Sequence, residues 1–247
     1  MSDQYQHIVV LTGAGISAES GLKTFRDNGG LWEGHRVEEV ATPEAFSNNP
    51  QLVQQFYNLR RRQLLSDSVD VNIAHCALAD FEQAFLGKAT NQASNTTRSF
   101  TLVTQNVDNL HQRASSSHVI AMHGELLKAR CILCDTVVEW HSDIDNASGC
   151  AQCDSTGLMR PHIVWFGEVP LAMAEIEQQL NGCDLFVSIG TSSAVYPAAG
   201  FQQFAASNKA HTVELNLEPG LTASQFNEVH YGPATEVVPR YFNSLAL

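Results

Sequence analysis

Short apolar runs alternate with polar, glycine-bearing turns along most of this chain. The run Ile8-Val9-Val10-Leu11 predicts a buried strand from His7 to Leu11, and a glycine-rich turn after it leads toward a helix expected to begin near Ser17. Asp27-Asn28-Gly29-Gly30 has no apolar pattern and predicts a mobile loop. From Pro50 to Leu65 the spacing is helical, with Leu52, Phe56 and Leu59 expected on one stripe and Tyr57 and Arg60 on an adjacent face; a second helix is expected from Ala74 to Phe85. Asn91 to Ser99 is a polar tract expected at the surface, before a strand from Phe100 to Thr104. Further strands are expected at Val119 to Met122, Asp184 to Gly190 and His211 to Leu215, with helical character from Ala198 to Ala206 and another apolar run at Ile163 to Phe166.

Strands that are apolar throughout, alternating with helices, predict an α/β fold: a Rossmann-like, doubly wound parallel sheet covered on both faces, gathering ligands at the carboxyl ends of its strands. There is no internal repeat and no proline-rich linker, so a smaller module is expected as an insertion rather than an appendage. The chain of 247 residues, 44% hydrophobic, is long enough for one large core and a small satellite. No run approaches a membrane span, and Met1 to His7 resembles no secretion signal, so the expected location is the cytoplasm, without a membrane partner. Lys and Arg number 14 against 26 Asp and Glu, for a formal charge of -12, which disfavours nonspecific nucleic-acid binding and favours basic protein segments.

The turn Gly13-Ala14-Gly15-Ile16-Ser17-Ala18 follows the first strand with the G-x-G-x-x-[GA] spacing of a pyrophosphate site. Gly13 is expected to allow a sharp turn, Gly15 a close phosphate approach and Ala18 tight helix packing. Taken alone, the spacing equally fits an ordinary glycine-rich turn. Gln105-Asn106-Val107-Asp108-Asn109-Leu110-His111 and His123-Gly124-Glu125 begin where two later strands end, which brings both polar clusters to the same sheet edge. A lone histidine is commonly a satisfied core group; the shared edge argues for a site here.

Cys131-x-x-Cys134 and Cys150-x-x-Cys153, with 15 residues between the pairs, have the spacing of a tetrahedral zinc site. Four cysteines leave no open position, which favours one structural ion. A thiol–disulfide pair is the alternative, and Asp135, Glu139, Asp143 and Asp145 between the pairs argue against nucleic acid. His141 could compete as a ligand, and Cys76 and Cys183 are expected as small core residues.

With Gly13 to Ser17, Thr24-Phe25-Arg26, Gln105 to Asp108, His123-Gly124, the cysteine quartet, Phe166-Gly167-Glu168, Gly190-Thr191-Ser192 and Asn216-Leu217-Glu218 in this order, the chain resembles the sirtuin family over nearly its whole length. The resemblance implies an NAD-dependent protein deacylase whose NAD-binding domain comprises 1–33, 86–124 and 161–247. A helical module (34–85) and a zinc ribbon (125–160) would form the small domain. It further implies that the acyl oxygen of a modified lysine attacks the nicotinamide ribose, expelling nicotinamide and forming an alkylimidate, with O-acyl-ADP-ribose as product. His123 would be the general base, with Asn106 and Asp108 positioning the ribose and the nicotinamide amide and Gln105 holding the ribose. Phe25 would shield the sugar face and Arg26 order its loop. Ala14, Glu19, Trp32, Val107, Thr191, Ser192, Asn216, Leu217, Glu218 and Ala234 fall where the family contacts the dinucleotide, and Val164, Phe166, Gly167 and Glu168 would border the acyl-lysine tunnel.

Tyr57-Asn58-Leu59-Arg60 matches the Tyr-x-x-Arg motif of bacterial and class III sirtuins, which remove succinyl and malonyl as well as acetyl groups. A guanidinium beside a phenol suits a terminal carboxylate, whereas a solvated Arg60-Arg61-Arg62 face is the plainer reading of the same residues. An ordinary NAD oxidoreductase would need an acidic strand end about 20 residues past the glycines. Glu33 lies near that distance but in no strand pattern, so Asn216 and Glu218 are the better ribose contacts. A noncatalytic acyl-lysine reader is the other alternative, and it would have no use for a base.

Overall fold

The computed structural model describes residues 5–22, 34–89 and 98–245. Thr24, Phe25, Arg26, Trp32 and the Asp27 to Gly30 loop lie outside the described residues, as does most of the Asn91 to Ser99 tract. In chain order the elements are β1 (His7–Thr12), α1 (Val37–Val40), α2 (Pro43–Asn48), α3 (Pro50–Leu64), α4 (Ile73–Ala89), β2 (Ser99–Thr104), α5 (Leu110–Arg113), β3 (Val119–Ala121), β4 (Gly124–Cys131), β5 (Val137–Glu139) and β6 (Met159–Ile163). They continue with α6 (Met173–Gly182), β7 (Leu185–Ile189), α7 (Phe201–Ser207), β8 (His211–Asn216), β9 (Glu228–Tyr231) and α8 (Ala234–Ser244).

Six strands form a parallel sheet in the order β3-β2-β1-β7-β8-β9. Its strands are apolar throughout because both faces are covered. Ile8, Val10, Leu102 and Val187 pack against α4 and α8 through Leu78, Phe81, Val238 and Phe242, while Val9, Leu11, Val103 and Phe186 pack against α6 and α7 through Ile176, Leu180, Phe201 and Ala205. The order reverses between β1 and β7, so a crevice opens at their carboxyl ends. The register brings Thr12 level with Thr104 and Ile189, and Thr104 level with Ala121, so the segments after β1, β2, β3 and β7 leave the sheet at one height.

A second, three-stranded antiparallel sheet has the order β5-β4-β6. The expected divisions at 124/125 and 160/161 fall on β4 and β6, which carry the chain between the two sheets. Gly124 has φ +82, and a Cβ there would lie 2.0 Å from the His162 carbonyl, so only glycine fits where β4 leaves His123.

Three expectations are corrected locally. No α-helix begins at Ser17; the chain instead makes two 3₁₀ turns, Ala14–Ile16 and Ala18–Ser20, because the Ser17 side chain is spent on the site rather than on capping a helix. On α3, Leu59 is exposed, and the buried apolar residues are Val53, Phe56, Tyr57 and Leu64, beside buried Gln54, Asn58 and Arg61. Cys183 is buried as expected, whereas Cys76 is only half-buried.

Candidate active site

The glycine turn has a physical basis beyond the one its spacing predicts. Gly13 is extended (φ -123, ψ -173), and a Cβ at Gly15 would lie 2.7 Å from Gly190 Cα and 2.8 Å from its carbonyl. These glycines are needed because the turn interlocks with Gly190, itself at φ +61. Gly13 N donates to Ile189 O (2.9 Å) and Gly15 N to Gly190 O (2.8 Å), closing the β1/β7 switch point as the floor of a cleft of about 720 Å³. Ile16 does not reach this cleft; it is a core residue beneath the turn.

A compact polar network lies behind the floor. Ser17 Oγ donates to Asp108 Oδ2 (3.0 Å) and accepts from Asn106 Nδ2 (3.1 Å), which also donates to the Gly13 carbonyl (3.1 Å). Asp108 Oδ1 accepts from Leu110 N at 3.0 Å. Burial raises the Asp108 pKa, and the Leu110 and Ser17 donors oppose that rise. His75 and His111 stand edge to face, 4.9 Å apart, and burial holds both neutral, with pKa values lowered to about 4 and about 3. His75 reaches Ser17 Oγ (3.4 Å) and His111 reaches Thr12 Oγ1 (3.0 Å). Gln105 Nε2 donates to Thr191 Oγ1 (3.1 Å) and Asn216 Nδ2 to the Thr191 carbonyl (2.8 Å), tying three strand ends together.

His123 borders the cleft, and its Nδ1 lies 3.0 Å from the Gln105 carbonyl. A carbonyl can only accept, so Nδ1 carries the proton and Nε2 is left with a lone pair. Burial lowers the His123 pKa, and the Gln105 bond opposes this only in part, so the ring is neutral at neutral pH.

Ala14, Ser192, Leu217, Glu218 and Ala234 line the cleft on the β7–β8 side, with Val107 on the β2 side. Glu19 also lines it, and its carboxylate is held by Thr235 N and Oγ1 at 3.0 and 2.7 Å. On the opposite wall stand Val164, Phe166, Gly167 and Glu168. The N–H groups of Val164 and Phe166 are taken by the His123 and Ala41 carbonyls, and Glu168 forks onto Arg160 at 2.7 and 3.0 Å while accepting from Trp165 N. Burial works against the Glu168 charge, but the Arg160 and Trp165 donors hold its pKa below the usual carboxylate range.

The three consecutive arginines meet three fates, and a common solvated face is not among them. Arg60 lines the cleft with its guanidinium 3.9 Å above the Phe56 ring and Nη1 on the Phe56 carbonyl. Arg61 is 1% exposed, and Arg62 pairs with Asp143 at the surface. Tyr57, fully buried, accepts a 3.0 Å bond from Trp165 Nε1 and faces the same cleft. Trp165 was not singled out from the sequence, although its place between Val164 and Phe166 was a usable signal; Val195, Tyr196 and Pro233 of the lining gave none.

The four cysteines form a second centre. All four sulfurs lie within 4.8 Å of one another, with Cys131–Cys153 at 3.7 Å and Cys134–Cys150 at 3.6 Å. A tetrahedron with bonds of about 2.3 Å needs edges of about 3.8 Å, so the quartet fits zinc and leaves no position for a substrate. Asp135 and Asp154, each directly after its pair, adopt φ +57 and +56, which makes the two turns alike. His141 is exposed and turned to Glu139 (3.8 Å), not to the sulfurs.

A switch-point crevice, a glycine floor and a closed four-cysteine centre together define a dinucleotide-binding α/β protein with a metal-stapled ribbon. Residues 13–197 match the Sir2 family model. The chain is 57% identical over 234 residues to a Pasteurella multocida protein named NAD-dependent protein deacylase, covering 95% of both, and 53% identical over 240 residues to a Vibrio cholerae protein of the same name, covering 97% of this chain and 93% of that one. Among solved structures it resembles a Sir2 homologue–NAD complex (33% identity, TM-score 0.84, 99% and 91% covered) and a Sir2 bound to acetylated peptide (25% identity, TM-score 0.79, 98% and 94% covered). The chain belongs to the Sir2 family.

Proposed function

We propose that His123 Nε2 is the general base of an NAD-consuming lysine deacylase, and that Tyr57 and Arg60 receive the terminal carboxylate of a succinyl or malonyl group. The chain is an NAD-dependent protein deacylase, acting on acylated protein and NAD. The observation that carries the site reading is the His123 Nδ1–Gln105 bond at 3.0 Å, which fixes the tautomer with a lone pair at the cleft.

NAD supplies a sugar carbon from which nicotinamide departs. The chain's own residues do the rest. The Gly13–Gly15 floor receives the pyrophosphate, and the main-chain bonds to Ile189 and Gly190 keep it rigid. Asn106 and Asp108, locked by Ser17, orient the ribose and the amide without having to rearrange, and Gln105, braced on Thr191, holds a ribose hydroxyl. Asn216 and Glu218 serve the far ribose, beside Ser192 and Ala234. His123 takes a proton from the ribose hydroxyl that attacks the acyl carbon. Val164, Phe166 and Gly167 flank the lysine stem, and Glu168 acts through Arg160 to hold this wall rather than by touching substrate. A substrate strand added beside the wall uses the backbone groups that His123 and Ala41 leave open. Lysine-rich segments suit the net charge of -12, and nucleic acid does not. The cytoplasm is the proposed location; among the described residues no helix is long and apolar enough to cross a membrane. The smaller domain is read as α1 to α3 with the ribbon; α4, expected within the helical module 34–85, packs instead on the parallel sheet through Leu78, Phe81 and Phe85.

The test is nicotinamide release from acetyl- and succinyl-lysine peptides. Arg60→Met is expected to lower desuccinylation about tenfold or more beyond its effect on deacetylation, because a charge-assisted fork to the carboxylate is lost. Equal losses would reject the carboxylate clamp, and peptide-independent retention of NAD would reject the deacylase reading.

A further inference from the structure

We propose that Asn58 and Arg61, on the flank of α3 turned away from the cleft, are positioning residues for acyl choice that fix the Tyr57–Arg60 wall to the cysteine ribbon. This inference rests on the carboxylate-clamp reading above. The Asn58 side chain pairs with Ile144 as a neighbouring strand would: Ile144 N donates to Oδ1 and Nδ2 donates to the Ile144 carbonyl, both at 2.9 Å. Ile144 is 1% exposed and packs in one cluster with Cys131, Cys150 and Met159, so it moves with the quartet. Arg61 completes the strut. Its Nη1 donates to the same Asn58 Oδ1 (2.8 Å) and its Nε to the Leu126 carbonyl (3.0 Å); Leu126 lines the cleft three residues after His123 and donates its own N–H to Val107 O at 2.8 Å.

A guanidinium is an expensive way to fill this volume. Burial depresses the Arg61 pKa to about 10, which still leaves it charged at neutral pH, and its two named acceptors are neutral oxygens. Only a rigid fork spans both acceptors at once, which gives a reason for arginine where methionine would pack. Gln54, Asn58 and Arg61 form one stripe of α3, while Val53, Tyr57, Arg60 and Leu64 form the neighbouring stripe toward core and cleft. Because both stripes belong to one helix, a shift at the ribbon becomes a shift at the clamp. A carboxylate clamp tolerates little displacement, and an acetyl group reaches no clamp, so loosening the strut discriminates between the two acyl groups.

The experiment uses the full chain loaded with zinc and compares Asn58→Ala, Arg61→Lys and Arg60→Met. In Asn58→Ala the KM for a succinyl-lysine peptide is expected to rise about tenfold, within the hundredfold that an ångström of misplacement can cost, while the acetyl-peptide KM and both kcat values stay within about twofold. Zinc content stays at one ion per chain, and the Trp165 indole N–H resonance shifts because its Tyr57 acceptor has moved. Arg61→Lys keeps the charge without the fork and moves the same readouts in the same direction; it decides the matter if Asn58→Ala does not fold. Equal changes on the two peptides, or an unmoved Trp165 resonance, overturn the positioning role. If Arg60→Met abolishes the succinyl preference while Asn58→Ala does not, the strut alone fails; if Arg60→Met leaves the preference intact, the clamp fails and the strut inference with it.

Discussion

The carboxyl edge of the parallel sheet and the wall built by α3 and the ribbon both bury polar groups beside the same cleft, but they do so differently. At the edge, Ser17, Asn106 and Asp108 bond one another at 3.0–3.1 Å, His75 adds a 3.4 Å contact to Ser17 and His111 reaches Thr12, with both histidines kept neutral. At the wall a charged arginine is buried with two neutral oxygens as acceptors and Asp143 as the carboxylate that favours its charge, and its neighbour Asn58 is bonded to Ile144, which packs with the cysteines. The edge is a network of neutral and acidic groups set directly on the sheet; the wall is tied to the ribbon through Asn58 and Ile144. In the proposed reading the reaction chemistry sits on the first and acyl choice on the second.

The largest effect should come from removing the wall's anchor. Cys150→Ser is expected to lose the bound metal and to lower the melting temperature by about 10 °C or more, measured by metal analysis and thermal unfolding. A full metal content with an unchanged melting temperature would mean the ribbon holds itself. Acid should find the edge. The folded pKa values of His75 and His111 lie below the ordinary imidazole value of about 6.5, so the unfolded chain binds more protons as pH falls. Their stability contribution is intact above that value and is lost as pH drops from there toward about 4, with His75 alone accounting for about 3 kcal/mol at the lower end. Denaturant titrations across that window check it, and a flat profile would show that the histidines are not held neutral.

Smaller effects separate the arginines. Arg61→Met leaves the Leu126 carbonyl without its donor, at about 1–3 kcal/mol for that buried group, while Asn58 Oδ1 keeps its bond from Ile144 N; the loss is partly offset by the charge no longer buried. Arg62→Ala breaks only an exposed pair with Asp143 and is expected to leave the melting curve unchanged. A reversed order of the two would place the load on the surface pair instead.

The sheet was legible because uninterrupted runs such as Ile8–Leu11 have one good solution, burial on both faces, and because its polar edge follows each strand directly in sequence. The quartet was legible from spacing alone. The wall was not. Nothing in Arg60-Arg61-Arg62 says which member is buried, since that depends on Ile144 and Leu126, more than 60 positions away along the chain. Leu59 was placed on the wrong stripe for the same reason: the face that α3 buries is chosen by the ribbon and Trp165, not by its own apolar count. The glycines were legible as a tight site, but their close approach to Gly190 was not, because Gly190 lies on the other side of the switch point.

The most direct measurement is the pH profile of nicotinamide release from an acetyl-lysine peptide and NAD, for the natural chain and for His123→Ala. A neutral imidazole acting through Nε2, with its pKa lowered by burial, predicts a rate that rises with pH to a plateau, with the midpoint of the acid limb below about 6.5, and turnover cut by about a hundredfold or more in the variant. A midpoint above that value, or a variant that turns over as the natural chain does, would contradict His123 as the base.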